Sequence, residues 1–385
     1  MLNVPIRMVL LLSVLAAQAL GSPMLKHTYR PPNHETPIED FNQVFTPADK
    51  FFVRYHLSYI PKIVLKDWRL TVGGEAAGKS VTFTAAQLKH DFKQIEIVAL
   101  AFCSGNRRGL VQPHVAGVQW GYGAMGNARW RGVRLKDVLA RAGLKPEAIE
   151  VVLDGADGPV NEKTPDYQKS IPLSKALDDD TIIALEMNGK PLSQNQGFPA
   201  RLVVPGWTAT YWVKHLITID AVSKPFQGFW MKTAYRIPKG KFPALEGHWT
   251  SQETATNTPI TEIAVSSLIT HIQPDRHEHV LVGHPVQIKG LAWDGGHGIA
   301  KVETSSDGGK SWHLAALGKD YGRYSWRQFT YEFTPEQPGP FSIMTRATNT
   351  AGMTQPTELV PNPGGYHHNL VQSVQLTADA SGAHE

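Results

Sequence analysis

AFCSGNRRGL, residues 101–110, holds Cys103, the only cysteine in 385 residues, just ahead of Arg107 and Arg108. The run Glu96-Ile97-Val98-Ala99-Leu100 before it has the apolar, β-branched character of a strand, so the thiol is expected where a strand opens into a Ser-Gly-Asn loop. Folds tend to display functional groups at such places. A free cysteine is more often a small buried hydrophobe, so the setting, not the residue type, singles out Cys103. Two neighbouring guanidiniums favour the thiolate, the species that attacks or ligates.

Three uses of that thiolate can be separated. A zinc site needs three or four protein ligands, and no second Cys or spaced His pair lies nearby; His367-His368 are adjacent and remote. A cysteine nucleophile needs a base, for which sixteen histidines offer possibilities without specificity. The third use is a soft ligand to one metal whose other ligands belong to a cofactor, and it also accounts for arginines whose forks match phosphate.

At 385 residues the chain exceeds the size at which one core stops growing, so two domains are expected. With 42% hydrophobic and 19% charged residues it reads as globular. Its formal charge of +4 comes from interspersed Lys and Arg without a basic block, which argues against a nucleic-acid partner. The N-terminus combines Arg7, an apolar run from Met8 to Ala17 and Ala17-Gln18-Ala19, the pattern of a secretory signal peptide over residues 1–22. Only that one Arg precedes the apolar run, so no twin-Arg export signal is seen. No later segment approaches a membrane span, and one cysteine permits no internal disulfide.

Residues 23–50 are polar and Pro-rich and read as an extended arm. Residues 51–250 alternate strand-like runs (Trp68 to Val72, Ile95 to Leu100, Glu150 to Leu153, Ala200 to Val204) with helix-like pieces (Ala85 to His90, Leu135 to Ala142), which predicts an α+β domain. Residues 251–372 carry strands and turn signals, among them a hairpin at Asp307-Gly308-Gly309, which predicts an Ig-like β-sandwich; residues 373–385 read as a tail.

Taken together, FCSGNRRG, Phe52-Val53-Arg54-Tyr55-His56, Gly117-Val118-Gln119-Trp120, Ala128-Arg129-Trp130-Arg131-Gly132, Ser170-Ile171-Pro172-Leu173, Glu186-Met187-Asn188-Gly189, Gly197-Phe198-Pro199-Ala200-Arg201 and Val213-Lys214 resemble, in order, the motifs of the sulfite oxidase family of molybdenum enzymes. The resemblance covers roughly residues 45–370. It implies a molybdopterin-binding catalytic domain followed by an Ig-like dimerisation domain, and hence a homodimer. It implies that Cys103 is the protein ligand of the molybdenum, that Arg54, His56, Arg108, Trp120 and Tyr235 surround metal and substrate, and that Phe52, Val53, Arg54, His56, Asp157, Gln196, Arg201, Trp207, Thr208 and Lys214 hold the pterin. Gln196 stands where vertebrate members have His, and in a second departure the resemblance places His368 where those members have a substrate-side arginine. Arg107 is left between the loop and the pterin.

The activity implied is oxygen-atom transfer that turns sulfite into sulfate. No haem is expected in this chain, because one cysteine cannot form a Cys-x-x-Cys-His motif and about fifty residues precede the motif region. Electrons would then leave singly for a separate c-type cytochrome, as in the exported, periplasmic bacterial sulfite dehydrogenases. The rivals are the same fold acting on another substrate, as a sulfane-sulfur dehydrogenase or a sulfoxide or nitrate reductase, and a non-catalytic exported Ig-like protein.

Overall fold

The protein is described as a computed structural model covering residues 23–159, 161–242, 254–274 and 280–380. The expected signal peptide and the expected domain boundary at residue 250 lie outside the described residues. Among the described residues no helix is long and apolar enough to cross a membrane.

The first domain is built on two five-stranded sheets. In one, Lys190–Pro191, Ile182–Met187, Met125–Arg134 and Gln94–Phe102 lie side by side, with Arg201–Val203 also paired to Ile182–Met187. The other runs Val81–Phe83, Leu70–Gly73, Leu216–Val222, Glu150–Gly155, Lys169–Pro172, and its pairing of Leu216–Val222 with Leu70–Gly73 is parallel. Both expected helices form. Ala85–His90 opens on a capping box in which Gln87 N donates to Thr84 Oγ1 (3.2 Å) and Thr84 N to Gln87 Oε1 (2.8 Å). Leu135–Ala142 buries Leu135, Val138, Leu139 and Ala142, one apolar face at helical spacing, and stops at Gly143, whose φ of +70° suits a residue without Cβ. A core rich in aromatic rings, including Trp68, Trp130 and Trp212, joins the two sheets.

The second domain is a sandwich of a four-stranded sheet (Ser266–Gln273, Val286–Trp293, Arg327–Phe333, Ala316–Leu317) and a five-stranded one (Val280–Leu281, Gln372–Asp379, Gly339–Asn349, Ile299–Ser305, His313–Leu314). Ile288, Ile343 and Leu376 fill its middle. The hairpin expected at Asp307-Gly308-Gly309 joins Ile299–Ser305 to His313–Leu314, with Glu303 opposite Leu314.

Two expectations are corrected. The residues read as a C-terminal tail begin with a strand, Gln372–Asp379, paired along Gly339–Asn349. Leu376 and Ala378 are buried while Gln375 and Thr377 face out, a period-two alternation that polar residues masked in the sequence. The residues read as an extended arm fold as a hairpin, Leu25–Tyr29 with Pro32–Glu35, which adds Val53–Arg54 as a third strand. Its polar residues are buried rather than solvated: Asn33, Glu35 and Thr36 are 1%, 3% and 0% exposed, because they hydrogen-bond the backbone of the first domain.

Candidate active site

Cys103 follows the strand Gln94–Phe102, as expected, and lines a cavity of about 60 Å³. The loop after it is laced to residues 120–124. Cys103 N donates to Ala124 O (2.9 Å), Arg107 N to Gly121 O (2.7 Å) and Gly109 N to Trp120 O (2.9 Å). Asn106 completes the lacing, its Nδ2 donating to Tyr122 O (3.1 Å) and its Oδ1 accepting from Ala124 N (3.0 Å).

Arg107 has a left-handed φ of +68°, so the adjacent arginines leave the loop in different directions. Arg107 crosses into the second domain, donating to Ser266 Oγ (3.2 Å) and Ser267 O (2.8 Å), over the rings of Tyr122 and Trp293. It is 1% exposed, and burial lowers its guanidinium to about 10. It therefore fastens the cysteine loop to the sandwich and is not part of the cavity wall.

Arg108 donates to Gly364 O (2.8 Å) and Val118 O (3.1 Å) and packs over Tyr366. A Cβ on Gly105 would come within 2.5 Å of its guanidinium, so glycine is what lets the loop wrap it. It is not part of the cavity wall, contrary to expectation; two of its five N–H groups are spent on carbonyls. Trp120 is likewise outside the cavity wall. It is fully buried in the core with the ring of His27 edge-on at 4.9 Å. His368 also lies behind the wall, where burial and then the charge of Arg107 lower its imidazole to about 4.

Of the residues expected at the cavity, Phe52, Arg54, His56, Cys103, Asp157, Gln196, Arg201, Lys214 and Tyr235 all line it. Val53, Trp207 and Thr208 do not. Val53 is spent pairing with His34, Trp207 packs into the core against Tyr211, and Thr208 N donates to Thr261 O at the start of the turn Ala209–Tyr211. That turn presents Ala209 and Thr210 to the cavity instead, with Trp212 and Val213 following.

Two sets of side chains meet there. In the first, Arg201 lies between Trp130 and Trp212, its guanidinium 5.1 and 5.6 Å from their ring centres, and donates to Gln196 O (3.3 Å), Gln196 Oε1 (3.4 Å) and Trp212 O (3.2 Å). Burial lowers it to about 10. Lys214 donates to Asn195 O (3.2 Å) above the ring of Tyr55; burial, with Arg201 nearby, holds its ammonium well below the ordinary lysine range. Asp157 is the carboxylate of this set, raised by burial to about 6 against the opposing pull of Lys214. Tyr55 was not foreseen. Its hydroxyl meets Gln194 O and His215 Nε2, both at 2.9 Å, so it braces the segment before the Gly-Phe-Pro motif.

In the second set, His56 stacks on Tyr167 (3.8 Å between centres) beside Trp230 and hydrogen-bonds the hydroxyl of Tyr235. Burial first, then the charges of Arg54, Lys169 and Lys214, keep this imidazole neutral at neutral pH. Arg54 donates to Asn33 Oδ1 (3.1 Å) and to Tyr55 O. Lys169, also unforeseen, is wholly buried, donates to Trp230 O (2.6 Å) and lies over the rings of Tyr211 (4.6 Å) and Tyr235 (4.9 Å). Its sequence signal was a lysine heading the otherwise uncharged strand Lys169–Pro172, every residue of which is buried.

A soft sulfur, three cations and a neutral hydroxyl–imidazole pair around one cavity suit a metal whose remaining ligands come with an anionic cofactor. Arg201 Nε and Ser104 Oγ are buried without a hydrogen-bond partner, donors that a polar ligand would satisfy.

Comparison with known proteins agrees. Residues 56–230 match the oxidoreductase molybdopterin binding domain, and residues 257–378 the Mo-co oxidoreductase dimerisation domain. Mitochondrial sulfite oxidase of Drosophila melanogaster is 35% identical over 85% of this chain and 58% of its own length. Sulfite oxidase of Gallus gallus is 33% identical over 87% of this chain and 73% of its own. The chain thus spans from about three fifths to about three quarters of these relatives. The solved structure of the sulfane dehydrogenase SoxCD from Paracoccus pantotrophus superposes with a TM-score of 0.74 at 27% identity, covering 93% of this chain and 86% of that one.

Proposed function

Because this chain belongs to the sulfite oxidase family of molybdopterin oxidoreductases, we propose that it oxidises sulfite to sulfate and passes the electrons singly to a separate c-type cytochrome. The observation that carries this reading is that Cys103 opens into the same cavity as the cations and the His56–Tyr235 pair.

The residues present fit the cofactor. Cys103 would hold the molybdenum through its thiolate, while Arg201, Lys214 and the backbone around Phe52 would hold the pterin and its phosphate. When bound, the cofactor supplies oxygen-atom transfer and stores two electrons. The chain's own share is electrostatic. Arg54 offers its guanidinium to a sulfur oxyanion, and Tyr235 offers a hydroxyl that its buried setting keeps protonated. Neutral His56 holds that hydroxyl in place without adding a titrating charge. Aromatic packing by Tyr167 and Trp230 excludes water, which strengthens each of these contacts.

A second reading is oxidation of a sulfane sulfur, favoured by the likeness to the sulfane dehydrogenase SoxCD over 93% of the chain. Steady-state assays on the loaded enzyme separate the two. Sulfite with ferricytochrome c should give turnover; turnover with a sulfane donor and none with sulfite would replace the first reading by the second, and reduction of nitrate or a sulfoxide would overturn both. A purified chain without molybdenum would favour a non-catalytic role. The sandwich domain would join two copies, which sedimentation at micromolar concentration checks. Export to the periplasm rests on the leader pattern, and fractionation of cells would test it.

A further inference from the structure

We propose that Glu35, on the N-terminal hairpin, is a positioning residue for Cys103: its carboxylate pins residues 121–123, the ledge to which the cysteine loop is laced. The proposal rests on Cys103 being the metal ligand, as above.

Glu35 is 3% exposed, and three donors converge on its two oxygens. Gly123 N donates to Oε1 (2.7 Å), Gly121 N to Oε2 (2.8 Å), and His27 Nε2 lies 2.6 Å from Oε2. An amide in its place would turn an NH2 towards one of these donors, so the site calls for a carboxylate. The approach is close enough to require glycine on the ledge. A Cβ on Gly121 would stand 2.7 Å from Glu35 Oε1, and one on Gly123 only 1.8 Å from Thr36 O.

The next link is the backbone itself. The two peptides that Glu35 grips carry Trp120 O, which accepts from Gly109 N, and Tyr122 O, which accepts from Asn106 Nδ2; between and beyond them Gly121 O accepts from Arg107 N and Ala124 O from Cys103 N. One strand of the hairpin, Pro32–Glu35, also supplies Asn33, whose Oδ1 accepts from Arg54 Nη1 (3.1 Å) and Tyr55 N (3.3 Å). A four-residue strand therefore sets both the loop of the thiolate and the arginine offered to substrate. Glu35 lines no part of the cavity, so it acts only through what it holds.

The test uses Glu35→Gln and Glu35→Asp in the full chain. Cys103 is the only thiol, so its alkylation by iodoacetamide in metal-free protein reports loop mobility without ambiguity. Glu35→Gln should raise that rate, and amide exchange at Gly121 and Gly123, by about ten-fold, the factor for one lost charge-assisted hydrogen bond. Glu35→Asp should fall between it and the parent. In loaded enzyme Glu35→Gln should lower kcat more than it raises KM. Alkylation and exchange rates equal to the parent's would overturn the proposal. If Glu35→Gln does not fold, native-state exchange on the unaltered chain decides: the amides of Cys103, Arg107, Gly121 and Gly123 should open as one unit, and independent opening overturns it. A chain that shows these loop effects yet has no sulfite activity would leave Glu35 in place and remove the substrate reading alone.

Discussion

Around Arg201 and Lys214 the cavity gathers cations next to a carboxylate, Asp157, whereas around His56 and Tyr235 it gathers aromatic rings next to a cation, Lys169, that donates to a carbonyl and lies over two of those rings. The first arrangement leaves buried charge that a polyanionic group would complete; its donors are long or unpaired until something binds. The second is complete as it stands, a neutral hydrogen bond between His56 and Tyr235 braced by the rings of Tyr167 and Trp230. One set is shaped to hold a ligand tightly and the other to present a fixed hydroxyl and guanidinium to a small anion. Buried charge stays only where a partner or a function retains it.

Substitutions probe that contrast. Cys103→Ser should keep the fold and lose nearly all turnover, with molybdenum per chain, read by elemental analysis, falling while pterin is retained; full activity would break the assignment of both sets to one site. Tyr235→Phe removes the hydroxyl of the complete set and should lower kcat/KM by about 10²-fold, the scale of one lost oxyanion donor, with cofactor content unchanged. Arg201→Met acts on the other set and should pull two measurements in opposite directions. Cofactor affinity should drop by about ten-fold, while the metal-free protein becomes more stable on thermal or urea unfolding, because a buried cation with no ion-pair partner of its own is replaced by an apolar chain. Equal destabilisation of loaded and metal-free forms would mean that Arg201 is purely structural.

The smallest effect concerns Asp157. Its carboxyl titrates at about 6 when folded against 3.8 ordinarily, so the native state binds the proton more tightly. Its contribution to stability is therefore present below about pH 4 and lost as pH rises through about 6. In metal-free protein Asp157→Asn should flatten this fall between pH 4 and 6; an unchanged unfolding profile would show that Lys214 already neutralises the carboxylate.

Much of this was legible locally. A strand feeding Cys103 into a loop, the helix of Leu135–Ala142, the alternation of the sandwich strands and the run Phe52 to His56 are short-range patterns, and the structure keeps each. The misreadings share a cause. Asn33 and Glu35 look like solvated arm residues until Gly121, Gly123 and Tyr55 amides, far along the chain, are brought to them. Gln372–Asp379 looks like a tail until Gly339–Asn349 supplies its partner. Lys169 carries no motif of its own, and Tyr55, though inside the Phe52 to His56 run, gives no local sign of its hydroxyl's role; their neighbours Trp230 and His215 lie 61 and 160 residues away.

The sequence alone determined the order of domains, the single thiol and the set of residue types around it, because strand, helix and turn preferences act over a few residues. The tertiary structure decided direction. Arg107 and Arg108 are chemically alike and adjacent, yet a left-handed φ at Arg107 sends one into the sandwich and leaves the other against Gly364 and Tyr366. Which charges face the cavity depends on which distant carbonyls are brought within reach, and only the packed chain supplies those.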